Sequence, residues 1–209
     1  MEFEKITDMT EKIVIVTGGS AGLGKPTVKA LLEKNATVYL EARDEKKSQA
    51  VIDEYAKITG KAAIFLKVDL ADLRSVKALV KEFLKCVLSF NETWFSNSKE
   101  TKLHISYNNG GVLMTPMDKV SFATNVLGHF YLTKLLLPTP ISTAESISDK
   151  VRVVTLSSSV PYLAKYEFNM ASLKDGPERR KMNPMTMYPQ SKTVSISSTY
   201  PFPVRLIYR

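Results

Sequence analysis

Short runs of apolar, often β-branched residues alternate along the chain with longer segments in which apolar residues recur every three or four positions. The short runs predict five strands, at residues 13–16, 37–40, 62–68, 102–107 and 151–156. The longer segments predict helices at about residues 25–34, 47–58, 73–88 and 121–137. Strands and helices that alternate in this way favour right-handed crossovers and a parallel sheet. The pattern therefore predicts one α/β domain.

Three other segments lack this periodicity. Residues 89–101 are predicted to be a loop, and Pro138 with Pro140 are predicted to end the fourth helix. Residues 160–187 are predicted to be irregular, and so long an insertion in a domain is usually functional or mobile. Residues 193–209 are rich in poor helix formers and contain Pro201 and Pro203, so only a strand remnant at Val204–Tyr208 is expected there.

A glycine-rich turn follows the first predicted strand. Residues 12–25 read KIVIVTGGSAGLGK, so a buried strand is followed by three spaced glycines and then by a helix. Glycine lets a ligand or another backbone come close. The first turn of a helix offers unpaired N–H groups and the positive end of its dipole, which suit a pyrophosphate. This stretch predicts nucleotide binding.

The end of the second strand carries two candidates for the adenosine ribose. In a dinucleotide fold an acid there binds the 2′-hydroxyl, whereas a nearby arginine accommodates a 2′-phosphate. Glu41 is the candidate acid and Arg43 the candidate phosphate ligand. Arg43 is equally compatible with an exposed position at the start of a helix, so the residues alone leave these alternatives open.

Polar side chains also follow later strands, at Asn109, at Ser158 and at the pair Tyr188/Lys192. The carboxyl ends of parallel strands meet at one edge, so these residues are expected near the first glycine turn. Tyr188 and Lys192 are four apart and share a helix face, where the ammonium favours the phenolate and makes the tyrosine a usable general acid/base. Each feature alone also has a plain explanation, as a surface pair or a solvated turn.

Composition and charge narrow the function further. The net charge of +8 comes from 29 basic residues interleaved with 21 acidic ones, which favours a solvated basic surface over a nucleic-acid site. A single cysteine fits a reducing compartment, and neither a signal peptide nor a membrane-spanning run is expected, so a cytoplasmic protein is predicted. The two histidines favour packing roles, and no Cys/His cluster predicts a metal site.

Taken in order, these features resemble the short-chain dehydrogenase/reductase family. The matching motifs are Thr17–Gly24 (TGxxxGxG), Asp69-Leu70, Asn108–Gly111 (NNGG for NNAG), Asn125, Ser158 and Tyr188-x-x-x-Lys192. The resemblance extends from residue 12 to about 192, and residues 122–133 are most similar to the branch of retinol dehydrogenases and WW-domain oxidoreductases. It implies a Rossmann-type, doubly wound parallel sheet with helices on both faces.

The resemblance also implies which residues bind the coenzyme. They are Gly18, Ser20, Gly22, Leu23, Gly24, Arg43, Asp69, Leu70, Asn109, Gly110, Tyr188 and Lys192. Family members that prefer NAD carry an acid at the position of Ala42, so Ala42 followed by Arg43 is similar to the NADP pattern. NADP is therefore the expected coenzyme, with NAD as the alternative.

Four residues are implied for catalysis. Asn125 is expected to hold a helix kink and a water of a proton relay, and Ser158 to orient a carbonyl group. Tyr188 is expected to exchange the proton, while Lys192 binds the nicotinamide ribose. The substrates implied are a small alcohol/carbonyl pair, and the family commonly forms homodimers through the helices around Asn125 and Tyr188.

The chain departs from the family after Lys192. A long helix, a sixth strand and a Pro-Gly turn that touches the nicotinamide are expected there, and residues 193–209 do not match them. The segment between Gly111 and Phe122 is also short. We therefore expect a single domain over 1–209 that is incomplete at its C-terminal side. The leading hypothesis is an NADP-dependent oxidoreductase acting on a lipophilic, retinol-like alcohol or carbonyl; the alternative is an inactive or truncated relative that binds dinucleotide without turnover.

Overall fold

A computed structural model describes residues 6–94, 102–113, 120–147, 150–163, 169–174 and 176–197. The strands are β1 (Ile13–Thr17), β2 (Thr37–Ala42), β3 (Ile64–Lys67), β4 (Ile105–Asn108) and β5 (Arg152–Thr155). All neighbouring strands pair in parallel, in the order β3-β2-β1-β4-β5. The predicted Rossmann-type parallel sheet is confirmed, and β1, which leads into the glycine turn, lies at its centre.

Helices and single helical turns connect these strands. They are α1 (Gly24–Glu33), α2 (Glu45–Thr59), α3 (Leu73–Trp94), α4 (Val120–Phe122), a π segment (Ala123–Gly128), α5 (His129–Leu136), α6 (Pro138–Ile147), α7 (Val160–Leu163), a 3₁₀ turn (Met170–Leu173), α8 (Pro177–Lys181) and α9 (Pro184–Ser197). No helix of the described ranges is long and apolar enough to cross a membrane.

The central strands β1 and β2 are buried on both faces of the sheet, which explains why β1 is apolar at successive positions. Val14 and Val16 lie in a core with residues of α1 and α2. Ile13 and Ile15 lie in a second core with residues of α3 and α5. The second core includes an edge-to-face contact between Tyr39 and Phe83, whose ring centroids are 4.9 Å apart. All five residues of β1 are buried, so its last residue, at the head of the glycine turn, is fixed in place.

One predicted helix end is wrong, and one helix was not predicted. Helix α3 continues to Trp94, through part of the predicted loop, because no glycine or proline interrupts residues 73–94. The fourth predicted helix ends at Leu136, close to the predicted stop, but Pro138 then begins a further helix, α6, that the periodicity did not predict. Proline is tolerated there because the first N–H groups of a helix have no partner within the helix.

The segment after β5 is also more regular than predicted, with short helices at α7, the 3₁₀ turn and α8. Helix α9 runs to Ser197, through residues expected to be poor helix formers. The hydroxyls of Thr193 and Ser195 donate to the backbone carbonyls of Pro189 and Ser191, at 3.0 and 2.9 Å. These bonds satisfy the hydroxyls within the helix, and packing of α9 on the π segment, through contacts such as Ser191 and Ser195 to Asn125, outweighs propensity. Two other predictions lie outside the described residues: the rest of the loop predicted at 89–101, which is residues 95–101, and the strand remnant at Val204–Tyr208.

Candidate active site

The turn after β1 is packed too tightly for side chains at two of its glycines. Gly18 has φ +66°, and a Cβ on it would lie 2.8 Å from the Cα of Gly110. A Cβ on Gly24 would lie 2.2 Å from the carbonyl oxygen of Gly18, closer than atoms can approach. The spacing of these glycines is therefore required by the close approach of three backbone segments.

The same turn is open on its outer side. Helix α1 begins after Leu23, and no side chain caps its first turn. Leu23 is 67% exposed, Ser20 is half-buried, and a Cβ on Gly22 would meet nothing within 4 Å. Uncapped N–H groups beside open space are what an anionic group needs to approach a helix. The predicted turn residues therefore line a cradle that fits a pyrophosphate.

One buried hydroxyl joins this turn to the loop after β4. The side-chain oxygen of Thr17 accepts the backbone N–H groups of Asn109 and Gly110, at 2.9 and 2.7 Å. In return, the side-chain amide of Asn109 donates to the carbonyl of Thr17, at 2.8 Å. Asn109 and Gly110, predicted to flank a ribose, thus lie directly beside the glycine turn.

A cleft of about 440 Å³ opens at the ends of β2 and β3. Arg43, Lys67 and Asp69 contribute to its lining. One carboxylate oxygen of Asp69 accepts the N–H of Ala71, at 2.9 Å, which fixes the loop before α3. Leu70, from the same loop, is buried and packs towards Gly110. Asp69 and Leu70, which are predicted to flank the adenine, therefore lie near Arg43. All three are at one end of the sheet edge that is formed by the carboxyl ends of the strands.

Glu41, the alternative ribose ligand, is fully buried in the sheet. Both of its carboxylate oxygens lack a hydrogen-bond partner among the described residues. Burial without a partner raises the pKa of Glu41 from 4.5 to about 8. Its backbone carbonyl accepts the N–H of Gly18, at 2.7 Å. Glu41 thus supports the turn through its backbone, while Arg43 is the side chain exposed at this end.

The other end of the edge is formed by α9. The ammonium of Lys192 lies 5.9 Å from the ring centroid of Tyr188 and donates to the carbonyl of Leu156, just after β5, at 2.9 Å. Lys192 is buried, and this burial lowers its pKa. The hydroxyl of Ser157 donates to the carbonyl of Lys192, at 3.0 Å, and so ties β5 to α9.

Asn125 lies within the π segment and is 2% exposed. Its side-chain oxygen accepts the N–H of Val112, at 2.9 Å, and its amide donates to the carbonyl of the same residue, at 3.1 Å. The amide also donates to the hydroxyl of Ser191, at 3.0 Å. Asn125 thereby connects the loop after β4 with the helix that carries Tyr188 and Lys192.

Ser158 follows β5 and is half-buried. Its oxygen accepts the N–H of Val160 at the start of α7, at 3.2 Å. That contact orients the side chain and leaves its own proton available as a donor. The predicted catalytic residues are therefore carried by β5, α9 and the π segment.

Sequence reasoning missed three residues that build this arrangement: Thr17, Ser191 and His129. The Thr17 hydroxyl is part of the glycine motif, yet its role depends on partners more than 90 residues away. Ser191 lies inside the Tyr188-to-Lys192 interval and faces Asn125. His129 is four residues after Asn125, a helical spacing that could have linked the two.

Comparisons with known proteins identify the family of the chain. A sequence model described as short chain dehydrogenase matches residues 12–167. A short-chain dehydrogenase/reductase of Armillaria gallica is 46% identical over 194 residues, covering 90% of this chain and 58% of the relative. Mouse retinol dehydrogenase 11 is 37% identical over 165 residues, covering 76% and 46%. The chain thus spans about half the length of these relatives.

Solved structures share the fold. One, of a Mycobacterium paratuberculosis protein, has a TM-score of 0.71 and 26% identity, covering 94% of this chain and 63% of that one. A Pseudomonas aeruginosa RhlG/NADP complex has a TM-score of 0.67 and 21% identity, covering 92% and 66%.

Replacing Glu41 by Gln tests the buried carboxyl. The folded chain binds more protons than the unfolded chain between pH 4.5 and about 8, so the free energy of unfolding falls as the pH rises through this window. Burial lowers the pKa of His129 from 6.5 to about 4, which acts in the opposite sense, but only below pH 6.5. Between pH 6.5 and 8 we expect the parent to lose roughly 2 kcal/mol more than Glu41→Gln in urea denaturation.

Glu45→Gln is the matched control, because Glu45 is exposed at the start of α2. It should follow the parent across the same pH range. Equal pH slopes for the parent and Glu41→Gln would contradict the buried, unpaired carboxyl.

Proposed function

The chain belongs to the short-chain dehydrogenase/reductase family, and from this premise we propose that it is an NADP-dependent oxidoreductase that interconverts an alcohol and a carbonyl compound. One observation carries the proposal: Lys192 and Tyr188 lie side by side at the same sheet edge as the uncapped start of α1. The proposed dinucleotide site and the proposed proton-transfer pair would thus lie at the same edge of the sheet, the one formed by the carboxyl ends of the strands.

The chain's residues fit such a coenzyme. The open side of Gly22 and the uncapped start of α1 would hold its pyrophosphate. Asp69 and Leu70 would flank the adenine, and Asn109 with Gly110 the adjacent ribose. When bound, the coenzyme supplies or accepts the hydride.

The remaining chemistry falls to the side chains at the β5 end. For reduction, Ser158 would donate a hydrogen bond to the carbonyl oxygen, and Tyr188 would give that oxygen its proton as the charge develops. The Lys192 ammonium, held near the tyrosine ring by the Leu156 carbonyl, favours the phenolate that remains. Asn125 would hold a water of the proton relay. Its hydrogen bond to Ser191 would also keep the π segment against α9. Oxidation of an alcohol uses the same groups in reverse.

The coenzyme preference is proposed from Arg43. This exposed guanidinium lies in the cleft at the ends of β2 and β3, together with Lys67. The same cleft is also lined by Asp69 and Glu82, so the proposal rests on the guanidinium itself, which can bind a 2′-phosphate in a bidentate manner. Among the similar structures, the Pseudomonas aeruginosa protein is an NADP complex. For the substrate we propose a lipophilic alcohol or its carbonyl partner, following the similarity to mouse retinol dehydrogenase 11.

Tyr188→Phe separates turnover from binding. The ring remains but the proton donor is lost, so we expect the rate of coenzyme-linked carbonyl reduction to fall by about 10²–10⁴-fold, while NADPH still binds within about threefold of the parent. Rates are followed by NADPH absorbance over a panel of aldehydes and ketones, and binding by calorimetry.

The control is Tyr55→Phe, a tyrosine buried on the α2 face of the sheet. It should keep the parent rate. A folded parent that binds NADPH yet turns over no substrate would instead favour a dinucleotide-binding relative without catalysis.

Arg43→Ala tests the coenzyme preference. Removing one charged phosphate ligand should weaken NADPH binding by roughly 10- to 100-fold and leave NADH binding nearly unchanged, because NADH lacks the 2′-phosphate. Arg74→Ala is the control, since Arg74 is exposed and pairs with Asp72. Equal losses for both coenzymes would contradict the role of Arg43.

A further inference from the structure

We propose that His129 is a positioning residue for coenzyme binding: its neutral imidazole accepts the hydroxyl of Thr17 and thereby aims that oxygen at the two amides that close the glycine turn. The inference rests on the proposed function for the identity of the bound coenzyme. The contacts of His129 itself do not depend on that function.

His129 is the first residue of α5 and is 5% exposed. Its Nε2 lies 2.9 Å from the side-chain oxygen of Thr17, and its Nδ1 lies 3.4 Å from the backbone oxygen of Asn125. One ring therefore touches both the strand that leads into the glycine turn and the segment that carries Asn125.

Counting donors at Thr17 assigns the tautomer of His129. The Thr17 oxygen has two lone pairs, and both receive backbone N–H groups, from Asn109 and Gly110. A proton on Nε2 would bring a third donor to this oxygen. Thr17 must therefore donate its own proton, and Nε2 of His129, at 2.9 Å, is a closer acceptor than the carbonyl of Tyr107, at 3.3 Å. The ring proton then belongs on Nδ1, facing the Asn125 carbonyl.

The surroundings keep this ring neutral. Burial lowers the pKa of His129 to about 4, and the nearby charge of Lys192 acts in the same direction. An imidazolium would carry a proton on Nε2 and would oppose the two amides at Thr17. At neutral pH the acceptor role is therefore maintained.

Packing places this ring between the two ends of the site. A Cβ on Gly128, the neighbouring residue, would lie 2.2 Å from the carbonyl oxygen of Leu70, so the π segment rests directly on the loop proposed to flank the adenine. If the Thr17 hydroxyl turned away, a smaller fraction of the molecules would have the glycine turn closed and able to bind the dinucleotide. The apparent affinity for the dinucleotide would fall in proportion to that fraction.

Three substitutions separate the acceptor from the volume of the ring. In His129→Gln, the side-chain amide can place an acceptor oxygen near the position of Nε2. In His129→Asn, the shorter amide can replace only the Nδ1 donor. In His129→Phe, an aromatic ring remains without a donor or an acceptor. We expect NADPH affinity, measured by calorimetry, to stay within about threefold of the parent for Gln and to fall about tenfold for Asn and Phe. A role in filling space predicts the reverse order, with Phe best.

His104→Phe is the matched control. His104 is equally buried, at 5% exposure, but accepts the N–H of Ile13 at the opposite end of β1. This variant should lower the melting temperature and leave NADPH affinity unchanged. Melting temperatures of all variants establish that each remains folded.

The tautomer of His129 gives a readout that needs no coenzyme. Long-range ¹H–¹⁵N correlation spectra of the parent at pH 7 should report a neutral ring protonated on Nδ1. A ring protonated on Nε2, or Gln and Phe variants of equal affinity, would overturn the proposal. If the parent bound no NADPH, the proposed function would fail, while the tautomer would still decide the contact to Thr17.

Discussion

The structure depends on one buried hydroxyl. The oxygen of Thr17 is the point at which the central strand, the loop after β4 and the start of α5 meet. The backbone N–H groups of Asn109 and Gly110, which donate to this oxygen, are half-buried and buried. They have to be paired, because an N–H group that is removed from water without a hydrogen-bond partner costs free energy. This one side chain thus fixes how far apart the two loops lie, and the glycines are needed because that distance is short.

The two ends of the site are built in different ways. The end formed by β1, β2 and β3 is held by the sheet and by contacts near in sequence, such as the cap that Asp69 provides for the loop before α3. The end formed by β5 and α9 is held by bonds between distant residues, among them Lys192 to Leu156 and Asn125 to Ser191. The proposed dinucleotide site therefore combines local structure with the distant bonds of Thr17 to Asn109 and Gly110, whereas the proposed proton transfer depends mainly on how α9 is docked.

This difference explains what could be predicted from the sequence. The strands, their parallel pairing and the glycine turn follow from apolar runs and glycine spacing, which act over a few residues. The continuation of α9 was missed because tertiary packing outweighed intrinsic propensity, and the start of α6 at Pro138 because proline is tolerated in a first helical turn. Among the site residues, Arg43 could be proposed from its motif, but the burial of Glu41 could not, since it depends on the neighbouring strands.

Calorimetric titration of NADPH into Thr17→Ser and Thr17→Val tests most directly whether the Thr17 hydroxyl forms the proposed dinucleotide site. Serine keeps the hydroxyl, whereas valine keeps the shape and leaves two amides unpaired. We predict that Thr17→Ser binds NADPH nearly as well as the parent and that Thr17→Val, while still folded by circular dichroism, binds at least about tenfold more weakly. Undiminished binding by folded Thr17→Val would contradict the account.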